Sequence, residues 1–258
     1  MVNFGSIERF ISAELAGRKH PGSSVAVVKN GELIWSRGFG FSDIKKGTQS
    51  TPETIYGCAS VTKPVVTIGF LQLMERGKFS LDDRVNTHLD VKIRDIRGDE
   101  PTMRDLLTHY TGIPTRVPPL YLLGEKADNL KTYIESAARM VRPRGESWAY
   151  CNTAFTIVGY LIKRFTGIDY DEYLKDHVLK PLEMASSDFE LSPMVVESLA
   201  QGYKRAGGPE NPLILNTPYV LGTKPADPAG SLYSTVLDLS KFLAMNMNGG
   251  EYEGKRLL

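Results

Sequence analysis

Cysteine is scarce: Cys58 and Cys151 are the only two in 258 residues. Two thiols cannot build the disulfide framework of a small secreted scaffold, so a reducing compartment is the default, with a single bridge between them left open. An excess of charge of either sign is also missing, Lys and Arg numbering 31 against 30 Asp and Glu. No block of like charges and no basic stripe is present, which argues against a surface that tracks a phosphate backbone. Nor is there a long apolar run. The longest, Pro64 to Met74, is broken by Thr67, Gly69 and Gln72 and falls short of the roughly 20 residues a membrane span needs. Met1 to Ala13 sets Glu8 and Arg9 among its apolar positions, so no secretory leader is visible. The expectation is a cytoplasmic protein, or a mature form freed of its leader, with no membrane and no nucleic acid among its partners.

Several chemical signatures are absent as well. His20, His88, His109 and His177 are scattered and lack the pairing with Glu or Cys that a zinc site uses, so each reads as structural or surface, and no metal is expected. There is no G-x-S-x-G elbow, no P-loop, and only a faint echo of a dinucleotide fingerprint at Gly38-Phe39-Gly40. No organic cofactor is expected either. What remains is a composition 41% hydrophobic and 24% charged, which excludes disorder and leaves a folded chain of one large domain or two packed ones.

Local patterns supply the elements. Ile7, Phe10, Ile11 and Leu15 repeat at helical spacing after Ser6 and stop at Gly17. The β-rich runs Ser24 to Lys29 and Glu32 to Arg37 are joined by Asn30-Gly31, the dipeptide favoured where both central residues of a type I′ turn need φ > 0. Ser42 to Thr51 reads as a polar loop. A buried helix is expected from Ser60 to Arg76 and a capped one from Met103 to His109, with Thr102 and Asp105 as a capping box. Further helices are expected at Asn129–Met140, Thr153–Phe165, Asp171–Leu179 and Thr235–Asn246. Gly202 to Ala229 is rich in Gly and Pro and reads as loops lining a site, as does Thr115–Leu123.

Two short patterns carry chemistry. Ser60-Val61-Thr62-Lys63 sets an amine one helical turn from a hydroxyl, and a partly neutral amine there can take the proton of an otherwise weak nucleophile. The same pattern occurs at Ser42-Asp43-Ile44-Lys45, in a polar loop, so spacing alone does not decide. Ser60 also fits an ordinary helix cap, and Lys63 an exposed lysine of a first turn. Tyr150-Cys151-Asn152 offers a phenol whose pKa a neighbouring ammonium can lower and an amide that can hold a carbonyl. Packing for Tyr150 and helix capping for Asn152 are the plain alternatives.

Taken in order, further segments join these two. They include Pro21 to Val28, Ala59 to Pro64, Met103 to Pro114, Pro143 to Asn152, Thr166-Gly167, Pro181 to Met184, and Pro228 to Thr235 with Asp238 and Phe242. The ordered set resembles the serine β-lactamase and penicillin-binding-protein superfamily, in its class C β-lactamase-like branch, and covers essentially the whole chain. The resemblance implies an α+β fold: an antiparallel sheet flanked by helices plus a mostly helical subdomain. The implied division is residues 1–60, 61–225 and 226–258. Ser60 would be the acylated nucleophile and Lys63 its activating partner. Tyr150 would be the proton shuttle, and Asn152 would position the substrate and the lysine. The Ser60 N–H would form half of an oxyanion hole.

One departure weighs against full activity. The family carries a third motif, Lys or His, any residue, then Gly, on a late strand; this sequence reaches Leu258 without it, and His20-Pro21-Gly22 lies in the wrong place. The sheet is therefore expected to be incomplete at its C-terminus. Losing one oxyanion donor costs ~10²–10³ in kcat, so this chain alone would be a weak catalyst. It would associate with a missing C-terminal segment or with copies of itself. The expected function is hydrolysis of an amide or ester of a small molecule or peptide through an acyl-enzyme on Ser60. The rival is a non-catalytic or slowly acylated binding protein.

Overall fold

A computed structural model describes residues 3–96, 98–115, 130–205, 213–215 and 228–258. Most of the loops at Thr115–Leu123 and Gly202–Thr223, and Asn129, lie outside the described residues. In chain order the helices are α1 (Phe4–Gly17), α2 (Thr62–Glu75), α3 (Met103–Thr108), α4 (Leu130–Ala137), α5 (Asn152–Thr166), α6 (Tyr170–Leu174), α7 (Pro193–Ser198) and α8 (Val236–Met247). The strands are β1 (Gly22–Lys29), β2 (Glu32–Asp43), β3 (Thr48–Gln49), β4 (Tyr56–Gly57), β5 (Tyr203–Arg205), β6 (Leu213–Leu215), β7 (Tyr233–Ser234), β8 (Glu251–Tyr252) and β9 (Lys255–Arg256). The class is α+β.

The chain forms two compact units. The first comprises Met1–Gly57, Lys180–Val220 and Tyr233–Arg256. Its centre is an antiparallel sheet in the order β1-β2-β3, with α1 and α8 packed against it. Asn30 and Gly31 turn the hairpin at φ 53° and 78°, both left-handed, as the type I′ turn requires. β2 runs on to Asp43 and pairs with β3, so part of the expected loop after residue 42 is strand. Close backbone approach explains why: a Cβ on Gly38 would stand 1.9 Å from the Ser50 carbonyl oxygen, so only glycine lets the returning chain lie against β2. α7 and the β5–β6 pair are additional to the expected elements.

The second unit comprises Cys58–Leu179, Leu221–Leu232 and Leu257–Leu258, and it is mainly helical. α5 is its axis: Thr153 to Ile162 are all buried, and α2, α3, α4 and α6 pack around it. A helix buried over ten consecutive residues must be enclosed by others on every side, and burial of its apolar side chains helps hold the unit together. α3 begins with the expected capping box. The Thr102 hydroxyl accepts from the Asp105 N–H, and the Asp105 carboxylate accepts from the Thr102 N–H. α5 ends at Gly167, left-handed at φ 77°. No helix among the described residues is long and apolar enough to cross a membrane.

Candidate active site

Every group of the candidate site belongs to the second unit. Ala59 opens the turn that carries Ser60 with φ 45°, a left-handed conformation costly for a residue with a Cβ and found where a site fixes its backbone. A short 3₁₀ turn, Ala59–Val61, then runs into α2. Ser60 caps neither: Cys58 stands at the start of the turn and Val61 at the start of the helix, and no side chain caps either one. The hydroxyl is free for other work. Lys63, three residues on, is 5% exposed, so the surface alternative for it fails.

The three groups meet at one atom. Ser60 Oγ accepts a hydrogen bond from Tyr150 Oη at 2.6 Å and one from Lys63 Nζ at 3.1 Å. Lys63 Nζ also donates to the Ala229 carbonyl at 2.6 Å. The Tyr150 and Phe155 rings lie 4.8 and 5.5 Å from the ammonium, within cation–π range. Among the described residues no carboxylate pairs with Lys63. A buried lysine without a counter-ion is rare in a structural role and common where an amine must lose its proton.

The electrostatics follow. Burial pushes the Lys63 ammonium below its ordinary pKa, opposed in part by the Tyr150 phenol. For Tyr150 burial alone would raise the pKa, but hydrogen bonding with Lys63 and Ser60 and the lysine's charge outweigh it, and the phenol is lowered. Both groups therefore move toward neutrality, where each can hold or release a proton.

Asn152 is the first residue of α5, and its side-chain Oδ1 is buried without a hydrogen-bond partner. The capping alternative for it fails, because Cys151 is the cap, its Sγ accepting the Ala154 N–H at 3.4 Å. No hydrogen bond joins Asn152 to Lys63 among the described residues; the lysine is held by Ser60 and Ala229 instead. An orphaned buried amide oxygen in the segment next to Tyr150 is an acceptor left to be satisfied.

Cys151 is itself buried, and burial raises its thiol pKa, so it stays a protonated packing group; no disulfide joins it to Cys58. Two further residues support the Tyr150–Asn152 segment: His109, which lies in the Met103 to Pro114 segment and reads in sequence as structural or surface, and Thr115, which no motif singles out. The Thr115 hydroxyl donates to the Tyr150 carbonyl and accepts from the Asn152 N–H at 3.2 Å. The His109 ring packs on Tyr150 at 4.6 Å between centroids. Among the described residues no cluster of three or more His, Cys, Asp or Glu could hold a metal.

The Beta-lactamase family matches residues 7–257. Among curated relatives, "Protein flp" of Staphylococcus aureus is 26% identical over 246 residues, covering 94% of this chain and 48% of that protein. "Putative penicillin-binding protein PbpX" of Bacillus subtilis is 29% identical over 232 residues, covering 89% of this chain and 56% of that one. The chain thus spans about half the length of these curated relatives. Among solved structures, the octameric penicillin-binding protein homologue from Pyrococcus abyssi superposes with a TM-score of 0.82 at 32% identity, covering 97% of this chain and 57% of that one.

Proposed function

Because the chain belongs to the Beta-lactamase family, we propose that it is a serine hydrolase cleaving an amide or ester of a small molecule or peptide through an acyl-enzyme on Ser60. The observation that carries this reading is the convergence of Lys63 Nζ and Tyr150 Oη on the Ser60 hydroxyl.

The chemistry follows from the contacts. As Ser60 Oγ attacks the carbonyl carbon, its proton passes to the Lys63–Tyr150 pair, whichever member is then unprotonated. The oxyanion that forms is met by the Ser60 N–H, in the first turn ahead of α2, where the helix dipole favours negative charge. Collapse of the tetrahedral adduct breaks the bond to the leaving amine or alkoxide, which takes the proton from Tyr150. A water then repeats the sequence: Tyr150 receives its proton, the hydroxide oxygen attacks the ester carbonyl, and Ser60 leaves with the proton restored. Asn152 presents its unsatisfied Oδ1 to an N–H of the bound substrate. Lys63 keeps its orientation throughout by donating to Ala229.

A p-nitrophenyl ester and a fluorescent penicillin test the reading on this chain and on Ser60→Ala. Turnover in the parent that disappears in Ser60→Ala supports it. Hydrolysis that survives removal of the hydroxyl refutes it. A single labelled equivalent without turnover would identify a slowly acylated binding protein instead.

A further inference from the structure

His109 is bound to the segment that carries Tyr150 by three separate contacts. Its main-chain carbonyl accepts the Ala149 N–H at 2.9 Å, and its Nδ1 accepts the Cys151 N–H at 3.2 Å, so the peptide that follows Tyr150 and the one that joins Trp148 to Ala149 are both held. Its ring lies against the Tyr150 ring and, at 5.5 Å, against Phe155, which also faces the Lys63 ammonium. From the geometry we propose that His109 is a positioning residue that holds the Tyr150 hydroxyl on Ser60. This rests on the acyl-enzyme reading above.

The local backbone makes such a residue hard to replace. His109 ends α3 in the left-handed region at φ 65°. That conformation turns the chain so that carbonyl and side chain both face residues 149–151, and it is comfortable only for Gly and, among residues with a side chain, for Asn, Asp and His. An acceptor at Nδ1 also requires the neutral ring with its proton on Nε2. The surroundings maintain that state. Burial and the Lys63 charge hold the imidazole below its ordinary pKa, while Tyr150 and Cys151 are its other titratable neighbours. Asp105, on its own helix, is occupied by Thr102 and Arg144 and does not draw a proton to the ring.

The test compares two variants that both accept a left-handed backbone. His109→Asn places an amide oxygen near the Nδ1 position; His109→Gly removes ring and acceptor together. Both are checked by near-ultraviolet circular dichroism, and His109→Ala, which also lacks ring and acceptor and places only a methyl on the left-handed backbone, replaces the glycine variant if that one fails to fold. Two quantities are read: the acylation rate with the activated ester, and the ultraviolet titration of Tyr150, isolated by subtracting Tyr150→Phe. The expected result for His109→Gly is acylation kcat about 10- to 100-fold lower with KM within about 3-fold, the loss typical of a group displaced by about 1 Å. Its Tyr150 titration should move up toward an ordinary phenol, as contact with Lys63 is lost. His109→Asn should recover most of both. If His109→Gly leaves the phenol titration and the acylation rate unchanged, or if Asn behaves as Gly does, the assignment is overturned. Absence of Ser60-dependent acylation in the parent would sink the hydrolase reading alone, because the phenol titration reports on His109 independently.

Discussion

Gly159→Ala is a one-methyl perturbation whose effect can be worked through to the lysine. Gly159 sits midway along α5, and a Cβ there would stand 2.4 Å from Pro228 Cγ and 2.8 Å from Pro228 Cβ. Carbon atoms pack at about 3.5 Å or more, so roughly 1 Å of movement is required, and the obstacle is a closed ring rather than the end of a flexible chain. Overpacking of this kind costs ~1–3 kcal/mol. Alanine returns ~1 kcal/mol through its helix propensity, leaving a net loss of about 1 kcal/mol and a drop in Tm of roughly 2–4 °C. The larger effect is chemical. Pro228 is followed by Ala229, whose carbonyl accepts from Lys63 at 2.6 Å, and a 1 Å shift of that acceptor breaks the bond. Acylation should fall about 10- to 100-fold, read by stopped-flow labelling with the fluorescent penicillin. Gly69→Ala is the control: its Cβ would meet the flexible end of Leu174 at 2.3 Å, and acylation should persist. If Gly159→Ala raises Tm and acylates at the parent rate, Pro228 yields freely and the coupling drawn here is wrong.

Tyr150→Phe deletes the hydroxyl that donates to Ser60 and should reduce acylation by ~10²–10⁴, the usual worth of a general acid–base group; single-turnover kinetics measure it. Acylation in the parent should rise with pH, because a fully protonated Lys63–Tyr150 pair cannot take the serine proton. The rise should begin below the ordinary range of an amine or phenol, since both are lowered. Lys63→Met should abolish acylation and also alter how stability depends on pH. Between the lowered pKa of folded Lys63 and the ordinary lysine value of 10.5 the unfolded chain binds the extra proton, so the parent's stability rises with pH there. Urea unfolding at pH 7 and 10 should show that rise in the parent and a flatter response in the variant. Phe155→Leu removes one aromatic face from the ammonium, a contact worth ~0.5–2 kcal/mol. Its acid limb for acylation should move to lower pH, and an unshifted limb would mean that Phe155 only fills space.

Legibility in the sequence differed by element for identifiable reasons. The β1–β2 hairpin, the α3 capping box and the glycine stop of α5 could be read because each rests on local chemistry: two positive φ angles, two reciprocal hydrogen bonds, one missing Cβ. Ser60, Lys63 and Tyr150 are singled out by the resemblance of the ordered segments to the family pattern, since the Ser-x-x-Lys spacing by itself recurs at Ser42-Asp43-Ile44-Lys45. The continuation of β2 was not, because it depends on how closely Ser50 approaches Gly38 and no residue pattern encodes that distance. Cys151 displaced Asn152 as the cap of α5, and cysteine is outside the residue types that cap helices by habit. The Ala229 carbonyl could not be anticipated at all, since any residue supplies one. α7 did carry a readable signal, Ser192 followed by Pro193 at the first helical position.

The segment holding the nucleophile is tied to a stretch synthesised much later. Lys63 reaches Ala229 across 166 residues. Close by, Thr62 Oγ1 accepts the Leu232 N–H and the Cys58 N–H donates to the Leu232 carbonyl. At ~5–20 residues per second on the ribosome, roughly 10–30 s separate the emergence of the amine from that of its carbonyl anchor. During that interval Lys63 lacks its carbonyl anchor, and for about the first half of it lacks Tyr150 and Phe155 as well. The order of translation thus makes the anchoring of Lys63 one of the last contacts of the helical unit to be completed.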